Sequence, residues 1–599
     1  MKENSPEIQS ILEEYQQRKL SRRQFLKKVG AAGVGATAAA ALLASCGSDE
    51  PAATTAAPAT TAAPATTAAP ATTAAPATTA APETAMGPSR GGTLREGYNR
   101  DVSKHDPITT NWYDPAFFAI YEAIVTVSPD GDFVPQYCTD FSVSGDGLEY
   151  RFTVEDRQSH SGNAITAADV AEFYRIQKFS FIASLASPIS HYEVDGNQVV
   201  AKMNNAWVGT LGPLATGYWR IANINTWKDV GGYDDETGLA GESVVASVYG
   251  TEVVDATGPF KHTEWVPGSH SYVERWDDYP GSNVPYFENK GTAHLDAIRW
   301  TVITEAGQRA TQLENGDIDT LLNPAHQDLA RLQENPDLTV YQHAEWSGYF
   351  MFMNREHFPE LFGDVETRRG LSHAVDREGM AQALLFGNGA ATYGPFPTTD
   401  RYYDPAVEQH NNYDVAEANR LLDAAGWSMG SDGVRERDGV PLQFEFMVEN
   451  ESLQTAIATA AAAQFSQVGA QADVNVVDRA VWFERAGGPE VPAGLFMWLW
   501  PIPIDVLTLF CASYTVPSPN WSHANEPRID QAIADWQSAG TEEAAAKAQS
   551  DFQLAWAETL PNMSFINQNS TFVKNNRVHG WSPHVWLLYP YYNDTWIEA

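Results

Sequence analysis

The chain has 599 residues, 43% of them hydrophobic and 11% aromatic. That is enough for a large core and roughly two to four domains. A net charge of −38 repels phosphate backbones, so no nucleic-acid partner is expected. Three cysteines, Cys46, Cys138 and Cys511, form no CxxC, so neither a thiolate zinc site nor a disulfide framework is indicated.

The N-terminus reads as an address. In SRRQFLKK, Ser21 to Lys28, paired arginines precede an Ala/Gly-rich apolar run from Val29 to Leu43. Small residues and Cys46 follow, in the order of a secretion signal. The twin arginines resemble the twin-arginine export signal, and Leu43-Ala44-Ser45-Cys46 resembles a bacterial lipobox. Residues 1–45 are therefore expected to be a signal peptide and Cys46 the lipid-bearing new N-terminus. The loose GxGxxA from Gly33 follows no strand and is discarded as a dinucleotide site. From Pro51 to Pro82 an Ala/Thr/Pro unit repeats every six residues. Such a segment buries no core, and residues 46–90 are expected to be a disordered tether.

The body begins near Gly91. GGTLR is strand-like, and Lys104-His105-Asp106-Pro107 is a turn. Phe117 to Val127 has helical apolar spacing. LEYRFTV, from Leu148, alternates with period two and predicts a strand. Thr166 and Asp169 form a capping box at a helix start. From Leu295 strands and helices alternate: AIRWTVI, then EAGQRATQLENG stopped by Gly316, then DIDTLL. Two short helices in RRGLSHAVDREGMAQALLFG follow, the second started by Asp376, and EANRLLDAAGW is another helix. QFEFMVEN, TAIATAAAAQFSQVG and QADVNVVD predict strand, helix and strand. The alternation argues for mixed α/β layers.

MWLWPIPID, Met497 to Asp505, combines two tryptophans with Pro501 and Pro503. Neither a helix nor a central strand is expected to run through it. The fourteen histidines are scattered. His160, His191 and His373 are expected to be structural or solvated. GxSxG, HExxH, the phosphate loop and the calcium loop are absent. No cofactor or metal is indicated.

Several segments, in order, resemble the family 5 extracellular solute-binding proteins, the oligopeptide, dipeptide and nickel receptors of ABC importers. They are GGTLREGY, YEAIVTVSPDGDFVPQYCTDFSVSGDGLEYRFTVEDRQSHSGNAITAADV, ATGPFKHTEW, HLDAIRWTVITEAGQRATQLENGDID, RRGLSHAVDREGMAQALLFGNGAATYGPFP, EANRLLDAAGW and LPNMSFINQNSTFVKNNRVHGW. The likeness runs from Gly91 to the C-terminus, except for Tyr218 to Val254, which reads as an insertion. It implies an α/β, two-lobed periplasmic-binding-protein-like fold of the large, three-subdomain type, with mixed sheets and a hinge. Lobe I would comprise residues 91–122, 258–345 and 561–599, with a small subdomain at 123–257. Lobe II would comprise 346–560.

The resemblance implies a monomeric, non-enzymatic receptor at the outer face of the cytoplasmic membrane. It would be anchored by lipid on Cys46 and deliver a peptide or other small solute to ABC permease subunits. A receptor for an oligosaccharide or metal chelate, or a secreted hydrolase, is the alternative. The expected ligand contacts are aromatics on irregular segments: Trp112, Tyr113, Trp346, Tyr349, Tyr393, Phe396, Trp498 and Trp500. In peptide-binding relatives, an aspartate follows the comparable tryptophan and pairs with the ligand amino group. Here Pro501 takes that place, and Asp505, the one acid of the stretch, is the candidate charge. Its other expected role is as a helix cap. Cys138 and Cys511 are expected to be unbridged, with Cys138 a buried thiol.

Overall fold

A computed structural model describes residues 87–598, other than 103, 109–114, 178–182, 216, 218, 232–247 and 500–502. The expected export signal with Cys46, the repeat, Trp112, Tyr113, Trp500 and Pro501 lie outside the described residues, as does much of the expected insertion.

One long mixed sheet organises the body. Its order is Phe260–Val266, His270–Arg275, Ala297–Val302, Thr93–Tyr98, Thr320–Leu322, Asn562–Asn575, Leu338–Met353, Ala493–Leu499, Gln443–Glu449 and Gln471–Val477. The first five strands are the sheet of one lobe, and the last three are the sheet of the other. The two long strands between them, of 16 and 14 residues, belong to both lobes. They pair antiparallel from Leu338↔Asn575 to Phe352↔Asn562. The register slips twice, between His343 and Ser347 and between Gly348 and Phe350. Bulges of this kind bend and twist a ladder. Trp346 lies in the first of them.

Local sequence accounts for most elements. Tyr150, Phe152 and Val154 point inward from the strand Glu149–Thr153, while Arg151 outside pairs with Glu149 and Asp195, both at 3.0 Å. This strand belongs to a four-stranded antiparallel sheet on which the helix Ala167–Ile176 packs. Thr166 and Asp169 form the expected capping box there. The helix Ala306–Asn315 stops at Gly316, whose φ of 75° suits a residue without a Cβ. Asp376 caps the helix Arg377–Leu385 by accepting from Gly379 N. The helix Ser452–Ser466 connects the parallel strands Gln443–Glu449 and Gln471–Val477, the crossover that parallel pairing demands. Cys138 and Cys511 are buried and unbridged.

Two expectations are corrected. The helix expected over Phe117 to Val127 ends at Ile120, and Val125–Val127 is a strand. Gly258 N donates to the Ile120 carbonyl at 2.8 Å, and a Cβ at 258 would stand 2.5 Å from that carbonyl. A neighbouring segment thus takes the acceptor that the next helical turn needs, and the β-branched run Ile124 to Val127 favours a strand. The other correction concerns Asp505; as expected, no helix or strand runs through MWLWPIPID. Met497 to Leu499 complete the central strand Ala493–Leu499, and Pro503 opens the helix Pro503–Cys511. The first helical turn tolerates proline because its N–H groups lack helical partners anyway. Position 505 therefore lies inside that first turn and is not the cap.

The C-terminal segment is fastened to the first strand through a fully buried carboxylate. Glu96 accepts from Trp300 Nε1 (2.5 Å), the Tyr592 hydroxyl (2.7 Å), the Thr320 hydroxyl (2.7 Å) and Trp581 Nε1 (2.9 Å). Burial pushes its carboxyl up, and the four donors oppose that shift. Glu96→Gln keeps the shape but turns an amide nitrogen toward two buried donors. Leaving them unmatched should cost about 2 kcal/mol or more. An unchanged urea midpoint would show that the cluster does not hold the C-terminus.

Candidate functional site: a cleft between two sets of strand ends

In the first lobe, Ala297–Val302 and Thr320–Leu322 both run parallel to Thr93–Tyr98. Their carboxyl ends meet. Tyr98 to Asp101, Trp300 to Val302 and Leu322 line a cavity with about 410 Å³ of empty space, part of it open to solvent. The second lobe repeats the arrangement. Gln471–Val477 and Ala493–Leu499 run parallel to Gln443–Glu449. Glu449, Arg479 and Trp498, at or just past their carboxyl ends, line a second cavity of about 370 Å³ on the same measure. Open α/β sheets bind ligands beyond the carboxyl ends of their strands. Here two such sets converge, and Arg100 lines both cavities.

Arg100 follows directly on the strand Thr93–Tyr98. Burial lowers its pKa to about 10, and the like charge of Arg479 adds to that effect. Glu449 and Tyr349, also of the second lobe, act in the opposite sense. Glu449 is held by Arg479, whose Nη1 donates to both carboxylate oxygens at 3.2 and 3.0 Å. The Arg479 guanidinium lies 4.9 Å over the Phe483 ring. Asp101 faces its own lobe and accepts from Trp265 Nε1 (3.1 Å), Gly268 N (2.6 Å) and Val102 N (2.8 Å).

The wall of the second cavity is aromatic. The Trp482 and Trp521 rings meet edge to face at 4.9 Å, and Phe496 lies 5.4 Å from Trp521. Trp498 packs at 4.8 Å on Phe510, which is itself 5.4 Å from Trp521. Edge-to-face pairs at these distances fix one another's orientation. The result is a rigid apolar wall edged with guanidinium groups.

Of the expected contacts, Trp498 lines this cavity. Tyr349 is buried and donates to Gln568 Oε1 at 2.7 Å, within the core of the second lobe. Phe396 is fully buried, 6.0 Å from Phe552. The Tyr393 hydroxyl donates to Glu378 at 3.2 Å, and the Arg377 guanidinium lies 5.8 Å over its ring. None of these three lines either cavity. The side chains of Trp346 and Asp505 lie outside the described residues, like Trp112, Tyr113 and Trp500. Arg100, Glu449, Arg479, Trp482 and Trp521 were missed. Three of them carried a signal: Arg100, Glu449 and Arg479 stand at or within two residues of the end of a strand that the alternation had located.

A second contact joins the lobes besides the long strands. Asn205 Nδ2 donates to the Gln537 carbonyl at 2.7 Å, and Val208 N to the Ala539 carbonyl at 2.9 Å. Trp207 and Trp536 meet edge to face at 5.8 Å. If opening of the cleft breaks this clasp, Asn205→Ala should speed release of bound solute roughly fivefold, the kinetic equivalent of one hydrogen bond of about 1 kcal/mol. Stopped-flow release of solute measures it, and an unchanged rate would mean the clasp stays shut during exchange.

The fold is shared with known proteins. Residues 132–516 match the model of bacterial extracellular solute-binding proteins, family 5 Middle. The chain is 24% identical over 333 residues to the oligopeptide-binding protein AppA of Bacillus subtilis (strain 168), covering 55% of this chain and 59% of that protein. It is 24% identical over 462 residues to the nickel-binding periplasmic protein of Escherichia coli (strain K12), covering 72% of this chain and 80% of that protein. The solved structure of AppA from Bacillus subtilis in complex with a nonapeptide matches with a TM-score of 0.74 at 19% identity, over 86% of this chain and all of that one. That likeness carries the two-lobed periplasmic-binding-protein fold. With well over half of its length matched by the family model, the chain belongs to the bacterial extracellular solute-binding proteins, family 5.

Proposed function

We propose that the protein is the extracytoplasmic receptor of an ABC importer. It captures a peptide or peptide-sized solute between its lobes and delivers it to a permease with two membrane subunits. One observation carries this reading: two cavities, each lined by the carboxyl ends of a parallel strand set, share Arg100 as a lining residue. A ligand there touches both lobes, so binding favours closure over opening. The aromatic wall suits an amphipathic solute. The relatives are named for binding and not for catalysis, which supports a cleft that binds and releases without turnover.

The proposed lobes are residues 91–122, 258–345 and 561–599 for the first and 346–560 for the second, with 123–257 as a small subdomain. The bulge after His343 supports the limit at 345/346, while Asn562–Asn575 pairs first with Phe350 to Phe352 and then with Thr320–Leu322, so the return crossing falls within that strand. The proposed anchor is lipid on Cys46, exported by the twin-arginine route, with residues 46–90 as a tether that lets a monomeric receptor reach its permease.

Three measurements test the proposal. Denaturing freshly purified protein should release about one equivalent of a single class of solute, identified by mass spectrometry. The native protein should leave that solute chemically unchanged, and conversion at a catalytic rate would overturn the receptor reading. Cys46→Ser should shift the protein out of the membrane fraction or leave its precursor unprocessed. Mature protein that stays membrane-bound without incorporating labelled fatty acid would contradict the anchor.

A further inference from the structure

We infer that the captured solute bears a carboxylate, which enters the second-lobe cavity and is held there by Arg479 and Trp482 beside an aromatic wall. This inference rests on the capture reading above and adds the charge of the ligand to it.

The argument is a count of donors and acceptors. The two carboxylates that line the cavities are already engaged. Both oxygens of Glu449 accept from Arg479 Nη1. Asp101 accepts from two backbone N–H groups and the Trp265 indole. The donors are not engaged to the same extent. Arg479 uses Nη1 on Glu449, and among the described residues its Nε and Nη2 have no hydrogen-bond partner. Trp482 is 2% exposed, lines the cavity, and its buried Nε1–H has no hydrogen-bond partner. A buried donor left unmatched is unfavourable, so a ligand acceptor placed there gains more than one placed in water.

Charge points the same way. Two guanidiniums, Arg100 and Arg479, and one carboxylate, Glu449, line the second cavity. The like charge of Arg479 contributes to the lowered pKa of Arg100, so the two are near enough to feel one another. An anion there relieves that repulsion, while Glu449 and Asp101 balance the formal charge across the two cavities. A guanidinium offers a planar fork that matches a carboxylate. Trp482, Trp498, Trp521 and Phe483 give the adjoining part of the solute flat apolar surfaces. This polarity is opposite to that of an amino-terminus pocket built on an aspartate, and it agrees with Pro501 standing where the resemblance places that acid.

The test uses the full chain and the solute recovered from it, beside the same solute after methyl esterification of its carboxyl groups. A panel of N-acetyl dipeptide acids ending in Phe or Trp, with their C-terminal amides, is titrated in parallel. The acid forms should bind at least about tenfold more tightly than the esters or amides, as expected for a charge-assisted hydrogen bond. Arg479→Gln should abolish that preference, and Arg479→Lys should restore part of it. Trp482→Phe should weaken acid binding about three- to tenfold with the preference intact. Melting curves identify any variant that merely unfolds. A recovered solute without a carboxylate, or an acid preference that survives Arg479→Gln, would overturn the inference and leave solute capture standing. A protein that yields no solute and binds no member of the panel would overturn capture itself.

Discussion

Two strands, Leu338–Met353 and Asn562–Asn575, constrain everything else in the body. The chain passes from one lobe to the other along the first and returns along the second. Because they are paired with each other, the crossings form one ladder, and any relative motion of the lobes must bend it. The register slips of this ladder lie between His343 and Phe350, where the strand passes from one lobe to the other. A β-ladder resists bending along its regular stretches and yields at a bulge. The register slips are thus where this ladder bends most readily.

Burial and charge divide the work between core and cleft. Interior carboxylates are saturated with donors. Glu96 has four, Asp319 binds Arg95 and Arg577, and Asp255 accepts from Ser159, Ser161, Asn223 and Thr226. Each such group fixes segments far apart in sequence, and together they make the lobes stiff. The cleft has the opposite balance, with donors in excess and indole rings as walls. In a chain of net charge −38, guanidiniums gathered at one place are informative. The acidic surface serves solubility, while the cleft sets two guanidiniums, Arg100 and Arg479, against two carboxylates, Asp101 and Glu449.

Much of the fold was legible in the sequence because it depends on local rules. Period-two alternation located Glu149–Thr153, and the capping box at Thr166 and the stop at Gly316 fixed helix ends that the structure reproduces. The failures have non-local causes. The helix after Phe117 is cut short by Gly258, more than a hundred residues away, which takes the Ile120 carbonyl. Asp505 reads as a cap, yet the helix already opens at Pro503. The candidate site was less legible. Aromatic content pointed to Trp498, but Tyr349 and Phe396 are equally aromatic and lie in cores. What distinguishes Arg100, Glu449 and Arg479 is that parallel strands end beside them. Strand direction depends on pairings that no local pattern encodes.

The central claim is that the lobes close on a solute by bending at the paired long strands. A distance measured across the cleft tests it most directly, with one spin label at Glu264 of the first lobe and one at Glu490 of the second. Adding the recovered solute to protein stripped of it should shift the population from a broad, longer distribution to a narrow, shorter one. An unchanged distribution at saturating solute would contradict closure and with it the account of the cleft.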